Sequence, residues 1–329
     1  MDQGQTFFEP LDVAVYPRFS GIATFMRLPH VADPAQLDVA LIGVPWDAGV
    51  TNRPGARHGP RAMRDASGMM RRVNHQTRVC PYELARIADL GDVSVNPCDL
   101  DETMGRVERF FRGVRDGGAI PLTAGGDHMI TLPILRGLVG GGVPVGLVHF
   151  DAHSDTTDSY FGGAKLTHGT PFRRAIEEGL LDPKRMIQVG IRGSMFDLHD
   201  LDFAIEAGVR IMFIEEAMDL GPAGVTAEIR RVVGEAPCYL TFDIDSLDPV
   251  YAPGTGTPEA GGFTTFQAQQ MLRGLRGLNY VGGDVVEVAP PFDPSGNTAL
   301  VGATMMFEIL CLLAETVGAR RGRLPGVPS

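Results

Sequence analysis

The sequence predicts an α/β fold built on a mainly parallel sheet with helices on both faces. Three observations predict it. Apolar runs of strand length alternate along the chain with segments of helical periodicity. Three of those runs, Ala119–His128 (AIPLTAGGDH), Val145–Asp155 (VGLVHFDAHSD) and Cys238–Asp245 (CYLTFDID), end in Asp and His donors. Open α/β sheets bind ligands outside the carboxyl ends of their strands, which is where those donors fall.

Taken in order, residues 1–36 are rich in Pro and aromatics without a clear period, and read as an extended arm able to pack on a neighbouring subunit. Leu37–Val44 is the first strand. Pro45–Pro60 (PWDAGVTNRPGARHGP) is a loop dense in Gly, Pro and Arg, and a helix follows from about Arg61. Leu84–Leu90 reads as a strand and Asp99–Arg115 as a helix, with Asp99 or Asp101 able to cap it. Ala119–Thr123 is a strand leading through GGDH to a helix near Ile130. After VGLVHFDAHSD and a polar loop to His168, the pattern gives a helix over Pro171–Gly179, a strand over Met186–Gly190 and a helix over Asp200–Ala207. A strand over Val209–Ile214 and a helix over Ala223–Val233 follow. The strand CYLTFDID leads into a long Pro/Gly/Thr loop, Asp248–Gly262. Thr264–Leu275 is a helix, Tyr280–Val288 a strand and Ala299–Thr316 a largely apolar closing helix. No Ser/Gly-rich linker, charge run or low-complexity stretch divides residues 37–329, which read as one domain.

Composition narrows the function. A formal net charge of −11 argues against a nucleic-acid surface. The four cysteines are scattered without a CxxC, so disulfides and a thiolate zinc site are not expected, and the reducing cytoplasm is the expected compartment. The N-terminus lacks a basic region followed by an apolar core, and no apolar run approaches the roughly 20 residues that span a bilayer. Neither a signal peptide nor a membrane association is expected.

Asp151, His153 and Asp155 stand at every second position, and a strand places such residues on one face if its extended conformation runs that far. With His128, Asp243 and Asp245 they make six candidate ligands, while His149 reads as a core histidine. A lone DxHxD is a weak signal, because an Asp after a strand is commonly a turn residue or cap. Three such segments at strand ends are a strong one. Four crowded carboxylates repel without cations between them. One ion could hardly engage six donors; two ions sharing carboxylates could. Oxygen-rich donors with two imidazoles suit Mn²⁺, and less decisively Fe, Co, Ni or Zn. Two metals about 3.5–4 Å apart hold and ionise a bridging water, which implies hydrolysis at a carbonyl-like or guanidinium carbon.

GGDH at 125–128, DAHSD at 151–155, and FDIDSLDP at 242–249 followed by APGTGTPEAGG at 252–262 resemble the ureohydrolases, the arginase and agmatinase family. The resemblance runs from about Val39 to Leu313. It implies a three-layer α/β/α arginase-like fold, a binuclear Mn²⁺ site (nickel in some relatives), release of urea from a guanidino compound, and trimers or hexamers. By that resemblance His128, Asp151, Asp155 and Asp243 hold one metal. Asp151, His153, Asp243 and Asp245 hold the other, with Asp151 and Asp243 as bridges. Asp155 also contacts the hydroxide and passes its proton to the departing nitrogen. His168 matches the family's loop histidine, a proton shuttle; Glu287 matches its guanidinium-binding glutamate; Thr257 matches a position beside the guanidinium. Without the resemblance these three read as an ordinary loop, strand-end and turn residue.

Thr156–Thr167 (TTDSYFGGAKLT) lacks the Asn, Ser and Thr arrangement with which arginases hold an α-amino acid. This segment and its sequel are similar to agmatinases and more closely to bacterial guanidinopropionases and guanidinobutyrases, which implies 3-guanidinopropionate or 4-guanidinobutyrate as substrate. Lys165, Arg53 and Arg57 are candidates for a substrate carboxylate, and Asp158 for the ammonium of agmatine. The alternatives are agmatine, another guanidine or biguanide, a single-zinc deacetylase of related fold, and a non-catalytic subunit of a hetero-oligomeric ureohydrolase. The intact six-donor set argues against the last two.

Overall fold

The computed structural model describes residues 8–322. Its frame is a single sheet of eight strands: β1 (Val39–Val44), β2 (Ile87–Asp92), β3 (Ile120–Gly125), β4 (Val145–Phe150), β5 (Leu181–Ile191), β6 (Arg210–Phe213), β7 (Cys238–Asp243) and β8 (Tyr280–Val286). They lie in the order β2-β1-β3-β8-β7-β4-β5-β6, each neighbouring pair parallel. Every residue of β1, β3, β4 and β7 is buried. Covered on both faces, these strands are continuous apolar runs rather than alternating ones.

One face carries α1 (Gly59–Ser67), α2 (Pro81–Leu84), α7 (Ile214–Val233), α8 (Thr265–Gly274) and α9 (Asn297–Arg320). The other carries α3 (Leu100–Asp116), α4 (Thr131–Val139), α5 (Pro171–Glu177) and α6 (Asp202–Ala207). Along β4, Val148 and Phe150 enter the first core, and Val145 and Leu147 the second. This is the three-layer α/β/α architecture. Helix α9 is long and apolar enough to cross a membrane by length and composition, yet 89% of its most apolar stretch is buried inside the protein. Within the first 36 residues, Phe25, Met26 and Leu28 join the first core. Residues 29–31 run beside β2, with Val31 N donating to Asp89 O and Asp89 N to Pro29 O, and so occupy part of that edge strand's hydrogen-bonding groups.

Strand order is what assembles the site. β3, β8, β7 and β4 are consecutive in the sheet, and neighbouring strands lie about 4.8 Å apart. Their carboxyl ends deliver His128, Glu287, Asp243 and Asp151 to one rim.

The elements differ from the sequence pattern in instructive places. β4 stops at Phe150, so Asp151–Asp155 is not extended strand. Asp155 sits at φ 54°, in the left-handed region. The donors converge through a bent loop, not through strand alternation. Likewise β7 stops at Asp243, and Asp245 lies in a 3₁₀ turn, Ile244–Ser246. Helix α7 begins at Ile214, nine residues before the expected start, and breaks at Gly221 (φ 64°) before Pro222. Gly-Pro reads as a helix stop, and only the half beyond it is visible from periodicity. The strand expected from Leu84 begins at Ile87, because Pro81–Leu84 is a helical turn with Pro at its start.

The turn that launches His128 has little freedom. Gly126 sits at φ +30°, and a Cβ there would lie 2.5 Å from Trp46 O and 2.6 Å from Val44 O. Both are backbone atoms at the end of β1, so relief requires moving the sheet. Gly126→Ala is expected to lower the unfolding free energy by about 1–3 kcal/mol in chemical denaturation. A midpoint equal to wild type would show that the turn yields freely.

Candidate active site

After β3 the chain turns at Gly125-Gly126. Asp127 caps the 3₁₀ turn His128–Ile130, accepting from Met129 N at 3.1 Å. It also accepts from Gly49 N at 2.7 Å, which ties the Pro45–Pro60 loop to the site. Burial first, then the nearby Glu287, push the Asp127 carboxyl up to about 8.

His128 Nδ1 lies 3.1 Å from Asp151 Oδ2, 3.0 Å from Asp155 Oδ2 and 3.2 Å from Asp243 Oδ2, and no hydrogen bond among the described residues satisfies it. Its other nitrogen, Nε2, lies 2.7 Å from Thr241 Oγ1. The Thr241 hydroxyl donates to Asp284 Oδ1, and Asp284 Oδ2 accepts from Thr131 Oγ1 and Tyr239 OH. A hydroxyl whose hydrogen goes to a carboxylate can only accept from the ring. In the neutral ring the His128 proton is therefore on Nε2, so Nδ1, facing the three carboxylates, is the nitrogen free to ligate a metal.

A second group adjoins the first. His153 Nδ1 lies 3.1 Å from Asp245 Oδ2 and 3.5 Å from Asp151 Oδ1. Asp151 thus turns one oxygen to each group. Asp243 turns Oδ2 to His128, while its Oδ1 accepts from Asp245 N at 2.8 Å. All six sequence-derived donors meet at this rim.

Their proton affinities record the crowding. Burial opposes a charge on His128, but the carboxylates around Nδ1 outweigh it and hold its pKa well above the ordinary value. Burial, reinforced by Asp245 and Asp151, holds Asp243 well above the usual carboxylate range, and burial raises Asp245. Asp151 resists the same burial because His149, His128 and His153 surround it, and it is held well below that range. Carboxylates this close, with an imidazole lone pair aimed among them, fit divalent cations: positive charge offsets both the repulsion and the burial.

Beside the donors lies a carboxylate with a free edge. Glu287 Oε1 accepts from His128 N at 2.9 Å and from His168 Nδ1 at 2.8 Å. Its Oε2 is buried without a hydrogen-bond partner among the described residues. Glu287 itself sits at φ 61°. Burial disfavours a charge on His168, but Glu287 outweighs it and pushes the imidazole up to about 9. His168 Nε2 faces Thr51, lying 3.0 Å from its backbone nitrogen and 2.7 Å from its Oγ1.

His168 and Thr51, with His153, Asp155, Asp243 and Asp245, line a cavity of about 660 Å³, whose wall also includes Arg53, Tyr160, Met195 and Phe196. Thr257 also lines it and donates to Asp245 Oδ2 at 3.3 Å. Arg192 spends its guanidinium on backbone carbonyls that include those of Asp245, Leu247 and Glu259, and so ties the Asp245 turn to the Thr257–Glu259 loop. Of the residues considered for the substrate's tail, only Arg53 lines the cavity. It is held by the Thr255 and Gly256 carbonyls and stacks on Phe292. Lys165 is exposed elsewhere, Arg57 is paired with Asp47, and Asp158 is paired with Arg174 and Arg173.

Sequence reasoning passed over Thr241, Asp284, Thr51 and Gln188, and took His149 for core. Only His149 carried a signal, since it stands on β4 two residues before Asp151; Thr241, Asp284 and Gln188 acquire roles through contacts across the sheet, and Thr51 through a loop contact to His168.

With this geometry in hand, comparison with known proteins is direct. The family model described as the Arginase family matches residues 37–312. A guanidinopropionase of Pseudomonas aeruginosa is 62% identical over 308 residues, covering 94% of this chain and 96% of the relative. A guanidinobutyrase of the same organism is 47% identical, covering 94% and 98%. Among solved structures, the proclavaminate amidino hydrolase of Streptomyces clavuligerus superposes with a TM-score of 0.86 at 39% identity, covering 92% of this chain and 100% of that one. Three-layer fold, strand-end donors and sequence similarity along nearly the whole chain agree: the chain belongs to the arginase family.

Proposed function

We propose that this protein hydrolyses a carbon–nitrogen bond of a short guanidino acid, releasing urea and an amino acid. 3-Guanidinopropionate is the leading substrate and 4-guanidinobutyrate the next. The observation that carries the reading is the unpartnered, buried Oε2 of Glu287 beside the donor cluster. A guanidinium is the planar, multiply donating cation that such a carboxylate edge recognises. Similarity to the guanidinopropionase supports the choice of acid. Asp158, the anion considered for the ammonium of agmatine, is paired with two arginines.

His128, Asp151, Asp155 and Asp243 would hold one divalent cation, and Asp151, His153, Asp243 and Asp245 a second. Mn²⁺ suits these donors best, with Ni²⁺ as the alternative. Bound there, such cations supply a hydroxide nucleophile at neutral pH. The chain's own residues do the rest. Glu287, fixed through Oε1, orients the guanidinium with Oε2. Asp155 takes the proton of the nucleophile and returns it to the departing nitrogen. His168, held beside Glu287, supplies the amine's second proton. The exposed apolar side chains Val13, Val15, Phe19 and Ile22 support a homo-oligomer, trimer or hexamer, assembled through the N-terminal arm. Free thiols at all four cysteines suit the cytoplasm.

Four measurements test this. Urea release by Mn²⁺-loaded protein is expected to be fastest on 3-guanidinopropionate within a panel adding 4-guanidinobutyrate, agmatine, arginine and guanidine. Glu287→Gln is expected to lower kcat/KM by about 10²-fold or more without changing the metal count. No urea from any compound would reject the proposal.

His168 must carry its proton to donate it, and its raised pKa keeps it charged below about 9. The rate is therefore expected to fall as pH rises through 9. His168→Asn should abolish that limb and lower kcat by about 10²–10⁴-fold; an unchanged limb would assign it to another group.

His128, Asp243 and Asp245 all have raised pKa values in the metal-free fold. Stability from these groups is present at low pH and lost as pH rises, with Asp151 alone opposing. Cations displace the bound protons. The gain in Tm on adding Mn²⁺ is expected to be larger at pH 8 than at pH 6; equal gains would show that the cluster is not the binding site.

A further inference from the structure

We propose that His149 is a positioning residue for Asp151, and that Gln188 locks it in the tautomer this requires. The inference rests on the reading of Asp151 as the carboxylate shared between two cations. His149 lies on β4, fully buried, with its ring 4.4 Å from that of Phe172. Packing alone would be served there by a second aromatic hydrocarbon. Instead both ring nitrogens are engaged: Nε2 lies 2.7 Å from Asp151 Oδ2, and Nδ1 lies 3.2 Å from Gln188 Nε2.

The hydrogen bonds fix the direction of each contact. Gln188, on β5, donates through Nε2 to the Ser154 carbonyl and accepts at Oε1 from the Ser154 hydroxyl at 3.0 Å. Its amide is thereby oriented, and the nitrogen must face His149. An amide nitrogen can only donate, so His149 Nδ1 accepts and the ring proton sits on Nε2, directed at Asp151 Oδ2. With both nitrogens occupied, His149 is not itself a ligand, although it lies within ligand distance of the cluster.

The consequence appears at Asp151. Oδ2 takes the His149 N–H, and Oδ1 takes the backbone N–H of His153 at 2.6 Å. Each carboxylate oxygen then has one acceptor position filled by the chain and one left. Oδ2 remains 3.1 Å from His128 Nδ1 and Oδ1 3.5 Å from His153 Nδ1. The carboxylate cannot rotate to give both oxygens to one group without breaking one of the two bonds. Gln188 adds a second constraint, because Ser154 stands between His153 and Asp155 in the bent loop. A single amide on β5 therefore fixes both the His149 tautomer and the loop carrying two proposed ligands.

The test uses the full-length protein and Mn²⁺ alone, read by chelator competition for affinity and by electron paramagnetic resonance for the exchange-coupled pair. His149→Phe keeps the aromatic packing and removes the donor. It is expected to weaken Mn²⁺ binding by about ten- to hundred-fold and to diminish the coupled signal. His149→Gln, whose amide N–H reaches the place of Nε2–H, is expected to restore most of both. Gln188→Met is expected to weaken binding by a smaller factor. Wild-type affinity and signal in His149→Phe, or no recovery in His149→Gln relative to Phe, overturns the inference. Should His149→Phe fail to fold, unchanged binding in Gln188→Met overturns it and weakened binding supports it. Wild-type protein that binds no Mn²⁺ pair instead overturns the shared-carboxylate reading on which the inference stands.

Discussion

Everything at the carboxyl rim of the sheet is arranged around one electrostatic conflict. Asp151, Asp155, Asp243 and Asp245 approach one another where water is scarce, and three of them converge on a single imidazole nitrogen. Isolated, such a cluster is resolved by protons: the raised affinities of His128, Asp243 and Asp245 say so. Resolved by cations, it becomes a catalytic centre. The fold holds the conflict in place because its donors stand at or just beyond the ends of strands buried on both faces, which cannot splay to relieve it without opening two cores.

The surrounding hydrogen bonds make sense as assignments of protons. Asp284, fed by three hydroxyls, forces Thr241 to accept from His128. His153 N–H and His149 each occupy one oxygen of Asp151. His168 and His128 N–H occupy Glu287 Oε1 and leave Oε2 open. In each case a hydrogen bond consumes the acceptor capacity that the reaction does not need, and what remains is aimed at the place where a cation or a guanidinium fits. Glu287 joins the two halves, since its Oε1 touches the backbone of a proposed ligand and the side chain of the proposed proton donor.

Much of this was legible in the sequence because parallel sheets impose a simple code. Apolar runs located the strands, and the carboxyl-end rule pointed to the rim at which the six donors meet. What could not be read was strand order: nothing in the chain states that β8 inserts between β3 and β7, yet that insertion brings Glu287 beside His128. Nor could local pattern show that Asp155 reaches the cluster by a left-handed turn, since period-two spacing suggested the right convergence for a different conformational reason. Thr241, Gln188 and Asp284 read as ordinary strand residues, because their roles come from contacts across neighbouring strands. The substrate's tail was least legible of all. Lys165, Arg57 and Asp158 carry suitable charges, but charge on a loop says nothing of which way the loop faces, and only Arg53 lines the cavity.

Asp155 and Glu287 show how the competing demands are settled. Six described residues other than glycine have positive φ, and two of them are these carboxylates. A non-glycine residue held there costs on the order of 1–3 kcal/mol, so local stability alone would favour Gly at both positions. Glycine would bring no oxygen to His128 Nδ1 and no acceptor for His128 N–H, His168 and a guanidinium. Leaving charged or polar partners buried and unpaired costs about 2–5 kcal/mol or more, which exceeds the strain. Backbone energy is thus the smaller quantity at this rim, and the side-chain chemistry decides which residue stands there.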